Sequence, residues 1–185
     1  MGQTVSRTRP AVRVIARQDN TGAIARLVES GELEVALGFC AEPKPGVTLD
    51  VVREERAVLA LGAGHPLARV PVVRLEDLIT ETFALVDAAD GAGYNAAVLA
   101  HCRAAGFEPR TLPDPHGPLA WETAVRLRGC VGLTTRASAA ATAPGIDVIR
   151  LEPAITFPIH LLTTPAPSAL AKAFAALART PAGSP

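Results

Sequence analysis

The chain lacks the features that mark several large classes of protein. Its 185 residues carry 18 basic and 18 acidic side chains and only one tryptophan. A net charge of zero argues against a dedicated nucleic-acid-binding surface, which needs basic residues to displace the counterions of phosphates. No apolar run reaches the roughly 18 residues of a membrane span, and the first seven residues lack the apolar segment of a secretory signal. A cytoplasmic binding domain or enzyme is therefore expected.

Cysteine and histidine are too few and too scattered to predict a metal site or a disulfide framework. The three cysteines, Cys40, Cys102 and Cys130, are odd in number and widely spaced. Secreted disulfide-rich domains use even counts at dense spacing, so we expect reduced thiols. No CxxC, HxxxH or HExxH pattern occurs, so neither a metal nor any other cofactor is predicted.

The remaining composition is that of a core-forming globular chain. Hydrophobic residues make up 49% and charged residues 19%, and the length suits one domain or two lobes of about 90 residues. After a leader over residues 1–11, which we expect to be disordered, strands alternate with helices that end at Gly31, Gly106 and Gly129. This alternation predicts an α/β fold with largely parallel sheets. The predicted strands are 12–16, 33–39, 50–53, 57–61, 83–86, 130–134, 146–151 and 159–163, and the predicted helices begin near 21, 92, 119 and 168.

Three turns are candidates for ligand contact because ligands of parallel sheets bind beyond the carboxyl ends of strands, near helix N-termini. The first follows Phe39 and begins at Cys40. The second follows Val86 and leads into a helix. The third precedes Trp121, the only tryptophan. The full candidate set is Phe39, Cys40, Asp87, Ala88, Ala89, Asp90, His116, Gly117, Pro118, Leu119 and Trp121.

Ordinary structural roles compete with ligand binding at each of these turns. Asp87 and Asp90 are typical helix-capping residues, His116 suits a surface turn, and Trp121 suits a half-buried packing position. The second turn has neither GxGxxG spacing nor a GK[ST] ending, so it does not predict a phosphate loop. There is no catalytic motif such as GxSxG. The chain is therefore expected not to be an enzyme, and an enzymatic role would need Cys40, Asp87 or His116 for turnover.

Five short segments resemble the effector-binding domain of LysR-type transcriptional regulators. They occur in the order and at the spacing typical of that family: GELEVAL at 31–37, PGV at 45–47, ERAVLAL at 55–61, HPLA at 65–68 followed by LEDL at 75–78, and VRLRGCVGL at 125–133. Arg128 and Cys130 depart from the small residues that the family usually has there. The resemblance runs from about Pro10 to the last helix.

The resemblance implies two Rossmann-like subdomains joined by crossover strands, as in periplasmic binding proteins, with a small effector in the cleft between them. Subdomain I would comprise residues 12–70 and 156–185, and subdomain II residues 71–155. Because residues 9–14 resemble the family's second strand, subdomain I is expected to be truncated at its N-terminus. The family reads DNA through a helix-turn-helix that we do not find before Val12.

The resemblance implies that the function is inducer sensing and oligomerisation, with a dimer expected. The effector would be a small molecule, and carboxylates are among its candidate classes. The alternative is a stand-alone module of the same fold that binds or sequesters a ligand and has no role at DNA.

Overall fold

A computed structural model describes residues 19–112, 120–140 and 144–179 of the chain. The predicted leader (1–11), the predicted first strand (12–16) and the candidate ligand turn at 116–119 lie outside these residues. The described elements, numbered in chain order, are α1 (Thr21–Glu29), β1 (Val35–Phe39), β2 (Thr48–Gly62), β3 (Val72–Val73), β4 (Thr82–Phe83), α2 (Ala88–Ala104), β5 (Arg110–Thr111), α3 (Ala120–Leu127), β6 (Gly132–Thr135), α4 (Arg136–Ala140), β7 (Ile146–Leu151), β8 (Thr156–Thr163) and α5 (Ala169–Arg179). Two 3₁₀ turns, Pro66–Arg69 and Leu75–Leu78, flank β3.

The chain divides into two compact units. Unit 1 takes Met1–Arg53 with Ile159–Pro185, and unit 2 takes Glu54–Pro158. Two strands, β2 and β8, run from one unit into the other. The partition predicted from the sequence, with breaks after residues 70 and 155, stays a prediction.

Unit 1 packs two helices against the β1–β8 pair. β1 and β8 are antiparallel, with Gly38 opposite His160. On α1, Ala25 and Val28 are buried with Ala41 and Leu162. On α5, Ala175 and Ala178 are buried with Leu161. The small buried residues of both helices allow a close approach to the strands, so each helix buries only a narrow apolar face.

Unit 2 contains the parallel pairings of the described chain. β3 pairs with β7 and β4 pairs with β5 in parallel, whereas β2 is antiparallel to both β6 and β7. The prediction of largely parallel sheets is therefore wrong for the pairs that include β2 or β8. These two strands carry the chain from one unit to the other, so they run against their neighbours.

Two predicted strands also have different lengths in the structure. The candidates at 50–53 and 57–61 form one continuous strand, β2, whose first part is partly exposed and whose last six residues are buried. The candidate at 83–86 shortens to Thr82–Phe83. Beyond Phe83, the backbone of Val86 bonds to the Asn95 side chain rather than to a strand.

The predicted helix starts are confirmed to within four residues. α2 is interrupted at Gly91, whose backbone is extended (φ −168°), so its continuous part begins near residue 92. α3 is followed by Gly129 in the left-handed region (φ 66°), which glycine adopts without steric cost. The helix closures seen in the sequence therefore follow from backbone sterics.

Candidate functional site

The turn after β1 is held by two side chains from other parts of unit 1. The Thr21 hydroxyl donates to the Phe39 carbonyl and accepts from the Phe39 N–H, both at 3.1 Å. The Ala41 N–H donates to Nδ1 of His160 at 3.0 Å. Both backbone groups of Phe39 and the N–H of Ala41 thus have side-chain partners, which fixes the path of the turn.

Cys40 lies at the centre of this turn with an unusual backbone. Its φ of 48° makes it the one non-glycine residue with positive φ in the described chain, and its side chain is only 4% exposed. A left-handed conformation costs a non-glycine residue of order 1 kcal/mol, and surrounding contacts must hold it. The bonds at Phe39 and Ala41, on either side of Cys40, are contacts of this kind.

The packing beneath the turn requires glycine in β1. A Cβ at Gly38 would lie 2.9 Å from Leu162 Cδ1 and 3.0 Å from Thr21 Cγ2. α1 therefore approaches β1 closely because residue 38 has no side chain. This close approach brings Thr21 within hydrogen-bonding distance of Phe39, so the glycine contributes to the geometry of the candidate site.

The second predicted turn, at the start of α2 in unit 2, is held by a side-chain amide. Asn95 Oδ1 accepts from the Val86 N–H at 3.0 Å, and Asn95 Nδ2 donates to the Val86 carbonyl at 2.8 Å. Asp87 then caps α2, with Oδ1 accepting from the Ala89 N–H at 2.8 Å. The structure thus confirms that Asp87 is a capping residue, whereas a ligand-binding role for residues 87–90 stays a prediction.

The start of α2 places two acidic side chains beside the positive end of the helix dipole. Asp87 and Asp90 stand at the first turn, where carboxylates interact favourably with the helix dipole and its free N–H groups. Ala88 and Ala89 are exposed, and Asp90 is half-buried. The turn therefore offers small side chains and two carboxylates.

Trp121 lies in the first turn of α3 and packs inside unit 2. Its indole Nε1–H donates to the Tyr94 hydroxyl at 3.0 Å, and that hydroxyl donates to the Leu133 carbonyl at 2.8 Å. The indole lies against Gly132, where an added Cβ would clash with Cζ2 of Trp121. The half-buried packing role expected for Trp121 is present, and any contact with a ligand would involve its remaining exposed surface.

The thiols are poor candidates for chemistry. None of the three cysteines forms a disulfide, and all are buried. Burial raises the pKa of the Cys102 thiol to about 11, with a smaller contribution from the charge of Glu108. Burial also raises the pKa of Cys130. Among the described residues there is no group of three or more His, Cys, Asp and Glu side chains that could hold a metal ion.

Four side chains that hold these turns were not singled out from the sequence as site residues. They are Thr21, Tyr94, Asn95 and His160. Thr21 belongs to a capping segment that the sequence does mark, so its place near a helix start was predictable. The other three bond to backbone groups that lie 9 residues away for Asn95, 39 for Tyr94 and 119 for His160. No local sequence pattern indicates such pairs.

Comparison with known proteins identifies the family. The model described as the LysR substrate binding domain matches residues 3–182. A probable hydrogen peroxide-inducible genes activator of Mycobacterium avium is 35% identical over 77 residues, which are 40% of this chain and 25% of that protein. The chain thus spans about a quarter of the length of this curated relative.

Solved structures show the same fold at low identity. The C-terminal domain of a probable LysR family transcriptional regulator from Rhodococcus sp. RHA1 is 24% identical with a TM-score of 0.68, covering 96% of this chain and 89% of that chain. The BenM effector binding domain with its effector benzoate is 18% identical with a TM-score of 0.68, covering 96% and 86%. None of the helices in the described part is long and apolar enough to cross a membrane. With the family model matching nearly its whole length and the fold that of periplasmic-binding-protein-like effector domains, the chain belongs to the LysR substrate-binding domain family.

Proposed function

We propose that this chain is the small-molecule-sensing and oligomerising domain of a cytoplasmic LysR-type transcriptional regulator. Membership of the LysR substrate-binding domain family supports this function. An effector would act by binding one conformation of the domain more tightly than another, which is the only way a ligand biases a partner. The role is one of binding, so incubation with effector should yield no product.

The observation that carries the proposal is the fixed geometry of two turns, the one after β1 and the one that leads into α2. His160 and Thr21 hold the turn after β1, and Asn95 holds the turn that leads into α2. A turn that is ordered before binding spares the ligand the entropic cost of ordering it.

The proposed effector-contacting residues are those at the three turns selected from the sequence, together with Trp121. They are Phe39 and Cys40 after β1, Asp87, Ala88, Ala89 and Asp90 at the start of α2, the segment His116, Gly117, Pro118 and Leu119, and Trp121 in α3. We propose that the effector binds in the cleft between the two subdomains. Since Cys40 is buried, its contribution would come through its backbone.

The chemical class of effector is narrowed by charge. BenM binds benzoate, which is a carboxylate. Asp87 and Asp90, however, would repel a second carboxylate and attract an amine. We therefore propose a small organic acid. Among such acids an amino acid fits best, because Asp87 and Asp90 would attract its amine.

A thermal-shift screen tests the function. The probes are benzoate, aliphatic carboxylates, amino acids and simple amines, each against the wild type, Trp121→Phe and Leu127→Ala. Leu127 is on the same helix and 74% exposed, so its variant is the matched control. A compound at about 100 times its Kd adds roughly 2.7 kcal/mol of stability, which is a rise of several degrees in Tm.

The expected result is a rise with one chemical class, unchanged in Leu127→Ala and reduced in Trp121→Phe. If the chain melts cooperatively and no compound of the panel raises its Tm, the sensing function is contradicted. Sedimentation of the same samples tests oligomerisation, for which we expect a dimer.

A further inference from the structure

A continuous series of side-chain contacts runs through unit 2 from α3 to the start of β8. It begins with the Trp121 Nε1–H, which donates to the Tyr94 hydroxyl at 3.0 Å. That hydroxyl donates in turn to the Leu133 carbonyl of β6 at 2.8 Å. Tyr94 is 7% exposed and its bond to Leu133 is buried, so loss of a partner by this hydroxyl is costly.

The series continues from the Tyr94 ring. Its centroid lies 6.0 Å from that of Phe157 with the planes tilted by 50°. His101 meets the same Phe157 edge-on, with centroids 5.5 Å apart and an interplanar angle of 76°. His101 Nε2 also lies 3.0 Å from the Thr156 carbonyl. Phe157 is fully buried, so both rings of α2 press on a side chain that cannot move freely.

The end of this series is a strand that leaves the unit. Thr156 and Phe157 are the first two residues of β8, and the chain passes out of unit 2 after Pro158. Directly before them, the Ile155 carbonyl accepts from the Ala57 N–H of β2 at 2.9 Å. The contacts of Tyr94 therefore reach the place where both linking strands are joined inside unit 2.

We propose that Tyr94 is a positioning residue for Trp121 and that it couples the first turn of α3 to the start of β8. Its hydroxyl fixes the indole in place, and its ring presses on Phe157. A displacement of the indole changes the hydrogen bonds of the Tyr94 hydroxyl. Because the core is densely packed, a shift of the Tyr94 ring then displaces Phe157, which it contacts. The sensory meaning of this coupling rests on the proposed function, in which Trp121 contacts the effector.

The test uses the whole chain and needs no effector. Tyr94→Phe removes the hydroxyl and both of its hydrogen bonds but keeps the ring. Trp121→Phe removes only the first bond, and Leu127→Ala is the control on the same helix. Trp121 is the sole tryptophan, so emission reports its environment directly in wild type, Tyr94→Phe and Leu127→Ala.

Amide hydrogen exchange provides the second measurement. The reporter is the Ala57 N–H, bonded to Ile155, and the internal reference is the Glu152 N–H, bonded to Val73 O at 3.0 Å. The ratio of the two exchange rates removes any uniform loss of stability. We expect the Tyr94→Phe emission maximum to shift and the Ala57 rate, relative to Glu152, to rise about tenfold in Tyr94→Phe and severalfold in Trp121→Phe.

Each outcome decides a separate statement. An unchanged emission maximum in Tyr94→Phe overturns the positioning role. An Ala57 to Glu152 ratio that stays at the wild-type value in both variants, or that rises equally in Leu127→Ala, overturns the coupling. A chain that binds none of the panel compounds but shows the expected ratios would refute the sensing function and leave the coupling standing.

Discussion

The Glu34 carboxylate binds Ser168 twice, at the start of α5. Oε1 accepts from the Ser168 N–H at 2.9 Å, and Oε2 accepts from its hydroxyl at 2.7 Å. Ser168 in turn uses its hydroxyl to accept from the Ala171 N–H at 3.2 Å. A residue just before β1 thus secures the first turn of a helix that follows it by 134 positions.

This contact gives unit 1 an acid-sensitive attachment. The two bonds from Ser168 lower the pKa of Glu34 from 4.5, so the folded chain binds this proton less tightly than the unfolded chain does. The stabilisation is complete above the unfolded pKa and is lost as pH falls through the lower, folded one. In urea titrations from pH 3 to pH 7, we expect Glu34→Gln to lower stability at pH 7 and to flatten the acid limb.

Glu42→Gln is the control for this experiment because Glu42 is also exposed. At pH 7 its free energy of unfolding should match the wild type, whereas that of Glu34→Gln should be lower. An acid limb that is identical in wild type and Glu34→Gln would contradict the role of Glu34.

Gly132 should not tolerate a side chain while Trp121 is present. An added Cβ clashes with Trp121 Cζ2 and lies 3.1 Å from Val125 Cγ2. Overpacking of this kind costs about 1–3 kcal/mol, measured by urea unfolding of Gly132→Ala. In a Trp121→Leu background the same change should cost well under half as much. Equal costs in the two backgrounds would show that the indole does not lie against Gly132.

Asn95 should be needed as an amide, not only for its shape. Asn95→Asp keeps an acceptor for the Val86 N–H but has no donor for the Val86 carbonyl. A part-buried carbonyl without its donor costs about 1–3 kcal/mol. Ala96→Asp places the same charge one residue further on, at an exposed position, and should cost only the propensity difference of about 0.5 kcal/mol. If the two variants unfold at the same urea concentration, the amide bonds do not stabilise the turn.

The thiols should be inert in the native chain. With the pKa of Cys102 at about 11, its thiolate fraction at pH 7 is about 10⁻⁴. Cys40 and Cys130 are no more than 4% exposed. Ellman's reagent at pH 7 should therefore titrate three thiols in guanidinium and none within minutes in buffer. Rapid formation of a sulfenic acid by millimolar peroxide would contradict this expectation.

Local sequence signals account for much of the fold. A closing glycine marked the ends of α1, α2 and α3, because Gly31, Gly106 and Gly129 each have a left-handed backbone that glycine adopts without steric cost. The antiparallel course of β2 and β8 was missed, since strand direction depends on where the chain goes after it leaves a unit. The shortening of the predicted strand at 83–86 was missed because a side chain, Asn95, takes the place of a neighbouring strand.

The positions of two candidate turns were predictable from the sequence, but the side chains that hold them were not, and ligand binding at these turns stays a prediction. The rule that ligands lie beyond strand ends selected the turns at Phe39 and Asp87 from the order of elements alone. His160 holds the turn after Phe39 from 119 residues away, and Tyr94 joins Trp121 to the Leu133 carbonyl, which is 39 residues away. Such pairs are decided by tertiary packing, so they become visible only when the strands and helices are assembled.

The most direct test of the account is chemical-shift mapping of effector binding. The ¹⁵N-labelled chain would be titrated with benzoate, and then with the amino acids and aliphatic acids of the thermal-shift panel. The account predicts saturable shifts concentrated at the Cys40 and Ala41 amides, the Ala89 and Asp90 amides and the Trp121 indole N–H. Saturable shifts that avoid all three places would contradict this prediction. So would the absence of any shift with any compound up to about 10 mM, a Kd that corresponds to a binding free energy of only a few kcal/mol.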